Sequence, residues 1–347
     1  MTRSAVRVIL ACAGLDMAHD VTRADVFNMT AGQKSLSFVA VGDPNNAPDI
    51  DTGRGSVDHV YLMGKYDVTA AQYAQFLNAV ALTDTYDLYN PSMASAPGAC
   101  GIIQMGSTDS FTYSVAAGHE NFPVNFVSWG DTARFVNWLQ NGQPTGAEGP
   151  GTTETGTYPL NGAFSSSQLT AAAQRQPGAN YFIPSENEWF KSAYYKSGGP
   201  NAGYWIFPTQ SDSAPSNVLD PNGTNNANYY AGAFTDPVNF VTPVGSFASS
   251  PGPYGTFDQG GDVFQWNETS SGLFDFEYRG GACTTDSIDL SKGAFFYNDA
   301  TLAESAVLGF RVAAVPEPDS ISLLLVGCGV LFLTVTKTPA FDSLPWN

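Results

Sequence analysis

The stretch GTFDQGGDVFQW, Gly255 to Trp266, decides how the rest of the chain is read. It holds a glycine pair at Gly260 and Gly261, a small apolar residue at Val263, and the polar Gln265 between Phe264 and Trp266. Glycine supplies backbone conformations closed to other residues, and tryptophan brings a large apolar surface to bury. The plain physical reading is a turn-rich segment pinned by a buried indole. The whole chain has that character: 35 Gly, 22 Pro and 13% aromatic residues among 347 point to a loop-rich domain rather than a helical bundle. With 43% of residues hydrophobic, it can bury one large core or two modest ones, which argues against disorder.

Working outward, three helices announce themselves. Thr69 caps a segment whose Tyr73, Phe76, Leu77 and Val80 share one face at helical spacing. Ser128 with Asp131 opens WGDTARFVNWL, in which Ala133, Val136 and Leu139 face one way. Ser185 and Glu188 form an S-x-x-E capping box ahead of Trp189 and Ala193. Between the last two, Asn141–Gln176 is rich in Gly, Thr, Ser and Gln, with one strand-like piece at Thr155–Leu160. Beyond Pro200, short apolar pieces alternate with Gly, Pro, Asn and Asp turns, a pattern of irregular strands and long loops. No repeat period emerges, and the expectation is a single α+β domain over residues 25–314.

Net charge is −18 although only 13% of residues are charged, so the acidity reflects scarce Lys and Arg. No basic stripe exists to neutralise phosphates, which speaks against a nucleic-acid partner. Residues 1–24 resemble a secretory signal peptide: Arg3 and Arg7, the apolar run Val8–Ala13, then small residues at Ala18 and Ala24. The competing reading is an ordinary N-terminus. Residues 315–347 resemble a PEP-CTERM sorting tail, with Val315-Pro316-Glu317-Pro318 leading into the uncharged Ile321–Val335 and then Lys337. That run falls short of the ~20 residues of a full span, and a buried C-terminal helix is the alternative. Cys12 and Cys328 fall in these end segments, leaving Cys100 and Cys283 as one disulfide or two buried thiols.

The Gly255–Trp266 stretch resembles the GGNVWEW block of the formylglycine-generating enzyme (sulfatase-modifying factor) family, with Asp262 for Asn, Phe264 for Trp and Gln265 for Glu. Further blocks follow the family order. They are Gly64–Thr69 with Gln72, Tyr73 and Phe76; Pro123-Val124 with Val127-Ser128-Trp129, Asp131, Ala133 and Trp138; and Ile183–Glu186 with Glu188, Trp189 and Ala193, where Phe182 replaces an Arg. Pro243-Val244-Gly245 matches a PVG strand, Arg279–Ala282 an RGGS block, and Gly309-Phe310-Arg311 the closing GFR. The resemblance implies an irregular fold of the C-type-lectin type, with a small twisted sheet, few helices and short antiparallel strands. In it Trp129, Trp138, Trp189 and Trp266 fill the core, Asp67 and Arg311 are buried partners, and Gly280 and Gly281 take conformations reserved for glycine.

The chemistry of the family does not carry over. Its oxidases bind copper(I) through two thiolates, the soft ligands that copper(I) prefers. These lie six residues after the RGGS arginine and five further on, where this chain has Thr285 and Leu290. Cys283 is two residues out of register, so copper is not expected to bind. His19, His59 and His119 have neither HExxH spacing nor a motif for the three-histidine iron site of the related sulfoxide synthases. Asp286 and Asp289 read as a solvated loop.

Calcium fares better, because it takes hard oxygen ligands. The resemblance implies one site from Asn228, the Tyr229 carbonyl, Asp236 and the Val238 carbonyl. A second would use carbonyls of Asp258, Gly261 and Val263 with the side chain of Gln265, one charge poorer than in the family. Asx turns without metal are the alternative for both. The expected function is an exported, surface-associated, non-catalytic binding or scaffold domain. Its ligand is an unidentified protein, peptide or glycan, and its membrane contact runs through the C-terminal tail. The second hypothesis is a formylglycine-generating oxidase, acting on a sulfatase cysteine, with an altered site.

Overall fold

A computed structural model describes residues 27, 29–199, 202–270, 272, 275–294 and 297–317. Residues 1–24 and 318–347, where the leader and most of the sorting tail were expected, lie outside the described residues. In chain order the strands are β1 Phe38–Val41, β2 Tyr61–Gly64, β3 Ile102–Met105, β4 Thr112–Val115, β5 Tyr181–Phe182, β6 Tyr195–Lys196, β7 Gly203–Tyr204, β8 Phe264–Ser270, β9 Asp275–Arg279, β10 Tyr297–Ala300, β11 Leu308–Gly309 and β12 Ala313–Ala314. The α-helices are α1 Ala70–Val80, α2 Trp129–Gln140, α3 Ser166–Ala172 and α4 Glu186–Tyr194. One sheet runs β1-β2-β12-β5 and another β10-β9-β8-β11, with β3-β4 and β6-β7 as separate hairpins. Pairings are antiparallel apart from β8 with β11. Among the described residues no helix is long and apolar enough to cross a membrane.

The helices start where their caps dictate. Thr69, Ser128 and Ser185 each accept from the backbone amide three residues on, and Gln72, Asp131 and Glu188 reach back to the cap amide. α1 and α2 meet through an aromatic stack: Phe135 lies edge-on to Phe76 at 5.4 Å and to Phe310 at 5.2 Å. Trp129 stacks flat on Phe276 at 4.0 Å, joining α2 to the second sheet. The buried indoles also find acceptors: Trp129 Nε1 donates to the Asn267 carbonyl and Trp266 Nε1 to that of Val127. A loop-rich chain is thus closed by rings that bury area and keep their N–H groups satisfied.

Two local expectations are corrected, and the cysteine alternative is decided. Thr155–Leu160 is not a strand, because side chains of α2 take the backbone bonds that a partner strand would take. Asn137 donates to the Thr153 and Tyr158 carbonyls and accepts from the Tyr158 amide, while Asn141 holds the Thr152 and Thr155 carbonyls. The same region also contains α3, opened by a Ser165/Gln168 capping box. Pro243-Val244-Gly245 is a turn. Gly245 sits at φ +75°, and a β-carbon there would come within 2.6 Å of the Tyr66 ring. Cys100 and Cys283 are both buried and free, in different apolar clusters.

Candidate functional site

The distant blocks converge on one buried side chain, Gln265. Its Oε1 accepts from Trp189 Nε1 and from Arg311 Nε, each at 2.7 Å, and its Nε2 donates to the Asp258 carbonyl at 2.8 Å. Arg311 spends its other N–H groups on the carbonyls of Gly64 and Phe257 and on Asp67 Oδ1 at 3.1 Å. Both members of that ion pair are fully buried. Burial pushes the Asp67 carboxyl well above its ordinary value against the pull of Arg311, and its Oδ2 has no partner. β2, α4, the glycine-rich loop and the last strands are thereby tied at a single point.

Around this knot the implied calcium ligands divide. Asn228 donates through Nδ2 to Asp262 Oδ1 and the Phe240 carbonyl, and its Oδ1 is buried without a partner. Asp262 also accepts from Thr242 N and Thr242 Oγ1. Desolvation, with Asp258 nearby, pushes Asp262 up to about 7. Asp236 turns onto its own loop, accepting from the Val238 and Asn239 amides and from Asn239 Nδ2, while the Tyr229 carbonyl accepts from Asn217 Nδ2 at 3.3 Å. The Asn228 set fits a hard cation in one respect, an orphaned buried oxygen. The Gln265 set does not fit. Both donors on Oε1 fill the amide oxygen, and Nε2 already occupies the Asp258 carbonyl, so an amide N–H stands where a cation would have to bridge that carbonyl and Gln265. With Asp258 engaged this way, Gly261 and Val263 contribute backbone carbonyls to no ligand set through Gln265.

Beside the knot runs the turn that follows β9. Gly280 and Gly281 have φ of +109° and +73°. A β-carbon on Gly281 would lie 2.6 Å from Leu290, so this glycine makes room for that leucine. Leu290 is buried with Phe207, Ala227 and Tyr229. Thr285 closes its own turn: its Oγ1 accepts from the Ala282 amide at 3.0 Å, and its carbonyl accepts from the Tyr230 amide at 2.8 Å. Burial pushes the thiols up, Cys100 to about 11 and Cys283 to about 12, so neither is poised to ionise near neutral pH.

The sulfatase-modifying factor enzyme 1-like domain matches residues 35–315. The chain belongs to this family. No curated protein matches it in sequence. Among solved structures, Treponema denticola variable protein 1 is 17% identical, with a TM-score of 0.50 over 83% of this chain and 98% of its own. A structure titled CarF is 17% identical (TM-score 0.47; 81% and 98% covered), and PvdO from Pseudomonas aeruginosa is 18% identical (TM-score 0.43; 80% and 92% covered). At these identities the first likeness speaks for the fold alone.

Set against the family blocks, one substitution finds its compensation in space. Phe182 stands where the resemblance has arginine, and Arg175 stacks on the Phe182 ring at 3.6 Å. From there it meets Glu188 through Nη1 and Nη2 and Glu268 through Nε and Nη2. His59 completes the group, with Nε2 3.1 Å from Glu188 and Nδ1 2.8 Å from Asp58, at a cavity of about 350 Å³ lined also by Ser56, Ser185 and Asn187. Sequence reasoning passed over this cluster. The available signal was Phe182, which stands where the family motif has arginine, three residues before the capping box of Ser185 and Glu188.

Proposed function

We propose that this sulfatase-modifying-factor domain is a non-catalytic binding or scaffold module. The observation that carries the reading is the closed turn after β9. Where copper(I) would need two thiolates, Thr285 is hydrogen-bonded within its own turn and Leu290 fills the space over Gly281. A hydroxyl and an isobutyl group offer copper(I) no soft ligand. Neither thiol stands in: Cys283 sits in an apolar cluster with Phe122, Val241 and Val263, and Cys100 belongs to the main core. The chain incubated with copper(I), oxygen and a cysteine-containing sulfatase peptide should leave the peptide mass unchanged. Conversion of the thiol to formylglycine would refute the proposal.

Export and surface retention complete the reading, supported by the sequence of residues 1–24 and of 315–347. Removing residues 315–347 should release a folded chain from membranes, and unfolding on truncation would mean that the segment belongs to the core. Calcium is proposed as a structural ligand at Asn228 and Asp236 with the Tyr229 and Val238 carbonyls, supported by the unpartnered Asn228 Oδ1.

A further inference from the structure

The chain that leaves α1 makes a turn over 84–87, with Asp84 at φ +56° and Asp87 at φ +54°. Both angles lie in the left-handed region, where residues other than glycine need support. Two carboxylates supply it. Asp84 folds back on its own segment, its Oδ1 accepting from the Leu88 amide at 2.8 Å and its Oδ2 from the Tyr89 amide at 3.3 Å. Glu148 reaches across from the loop after α2, and its Oε2 accepts from the amides of Thr85 and Tyr86. Glu148 Oε1 is buried with no partner. The ground on either side is firm. The Gly146 amide donates to the Ala79 carbonyl and Trp138 Nε1 to that of Pro144, while Leu88 is buried and its carbonyl accepts from Tyr73 Oη. The part free to move is the turn itself, and with it Tyr86, whose ring lies 4.1 Å from the guanidinium carbon of Arg134.

The groups that face this turn are mostly acids. Asp87 stands on the turn, Asp109 accepts from Thr83 Oγ1 on the solvent side, and Glu304, bonded to Asn90, feels both Asp84 and Asp87. The phenols of Tyr73, Tyr89 and Tyr113 lie in the field of Asp84. The cation that meets the turn, Arg134 of α2, is committed to the buried Glu154 at 2.7 Å. Two half-buried carboxylates at one turn repel when both are ionised, and a proton on either relieves the strain. Burial, with Asp84 nearby, pushes Glu148 up to about 7, and burial pushes Asp84 up to about 6. A proton on the unpartnered Oε1 of Glu148 breaks no bond, because Oε2 goes on accepting from Thr85 and Tyr86.

We propose that Asp84 and Glu148 form a pH-operated latch: sharing a proton they hold the turn over 84–87 down on the loop after α2, and fully ionised they let it lift, taking Tyr86 off Arg134. The closed turn keeps a proton that the open turn, with its carboxyls at their ordinary values, gives up. Closure is therefore favoured toward acid and lost as pH rises through about 6 to 7. The test is hydrogen exchange of the full chain at pH 5.5 and pH 8, expressed as protection factors so that the intrinsic pH dependence of exchange drops out. Amides of the segment over 84–89 should lose protection at least about tenfold at the higher pH. Glu148→Gln, which copies the protonated acid, should reduce that change to less than about threefold and leave the turn better protected than the parent at pH 8. Asp84→Asn keeps an oxygen for the Leu88 and Tyr89 amides and should also shrink the change, so it serves if the first variant fails to fold. Asp109→Asn, which touches the same loop from solvent, should leave the pH dependence as it is. Parent protection that does not change with pH, or an equal loss in both Glu148→Gln and Asp84→Asn, overturns the latch. So does a loss of the same size in β8, which would make the effect one of global stability.

Discussion

The knot at Gln265 and the turn over 284–290 lie side by side and have had opposite fates. In the knot, the family's GFR arginine still meets Asp67 and two carbonyls, and the glutamine in place of glutamate has been absorbed into a closed hydrogen-bond set. In the turn, Thr285 is hydrogen-bonded to the Ala282 amide and Leu290 packs with Phe207, Ala227 and Tyr229, at the two positions where the proposed reading finds no thiolate. The contrast separates what a family motif does for architecture from what it does for reaction. A side chain substituted into a buried polar network has to find partners for its own donors and acceptors, as Gln265 does, whereas a metal-ligating position can change at little structural cost.

The sharpest way to break that comparison is to remove the knot's centre. Arg311→Ala strands Asp67 and the Gly64 and Phe257 carbonyls in the interior, with a loss of about 3–5 kcal/mol expected for a broken buried pair. Thr285→Ala in the turn should cost about 1 kcal/mol, the value of one neutral hydrogen bond. Urea unfolding midpoints measure both. Comparable losses at the two positions would mean that the turn is as structural as the knot and the distinction is false.

Gln265→Glu sharpens it from the other side. The variant loses the N–H that Gln265 gives the Asp258 carbonyl, so without calcium it should be less stable by about 1–3 kcal/mol. It also frees that carbonyl and supplies a carboxylate, so calcium should raise its melting temperature more than that of the parent chain. In the parent, a chelator should lower the melting temperature through the Asn228 site alone, and Asp236→Ala should abolish most of that shift. Scanning calorimetry with and without calcium reads all three. A parent chain indifferent to chelator would leave Asp236 as a loop cap and nothing more.

What was legible in the sequence was local. Each helix read beforehand carries its capping box within four residues, and each Trp of a block is buried. α3 shows that the same signal can be passed over, since Ser165 and Gln168 form an equivalent box inside a Gly- and Thr-rich stretch. The false strand at Thr155–Leu160 failed for a different reason. Strand pairing was satisfied by Asn137 and Asn141, side chains from another element, and no local pattern encodes that. The role of Gln265 was half legible: its neutral charge pointed to a weaker cation site, but not to an amide N–H filling it. Arg175 was illegible because a loop residue's position in space is not given by its spacing from Phe182.

The smallest expected effect concerns pH and compares His59, at the rim, with the buried knot. Both His59 nitrogens face carboxylate oxygens, so the imidazolium satisfies both contacts and the neutral ring leaves one lone pair against an oxygen. The hydrogen bond to Glu188 raises the His59 pKa against the cost of burial. A base with a raised folded-state pKa contributes stability that is complete below its unfolded value, near 6.5, and is lost as pH rises through the folded value. Glu188 shifts the opposite way. His59 and Arg175 hold it down to about 2 despite its burial, so its contribution is present above the ordinary carboxylate range and fades toward pH 2. The clamp between the β2 approach and α4 should therefore be strongest between about pH 4.5 and 6.5 and weaken gently above. Because His59 is half exposed, the alkaline loss should be about 1 kcal/mol or less. His59→Gln should flatten the melting temperature between pH 6 and 8 and reduce the acid limb to the part that Arg175 holds. A parent profile already flat over that range would show that solvent, rather than Glu188, sets the state of this ring.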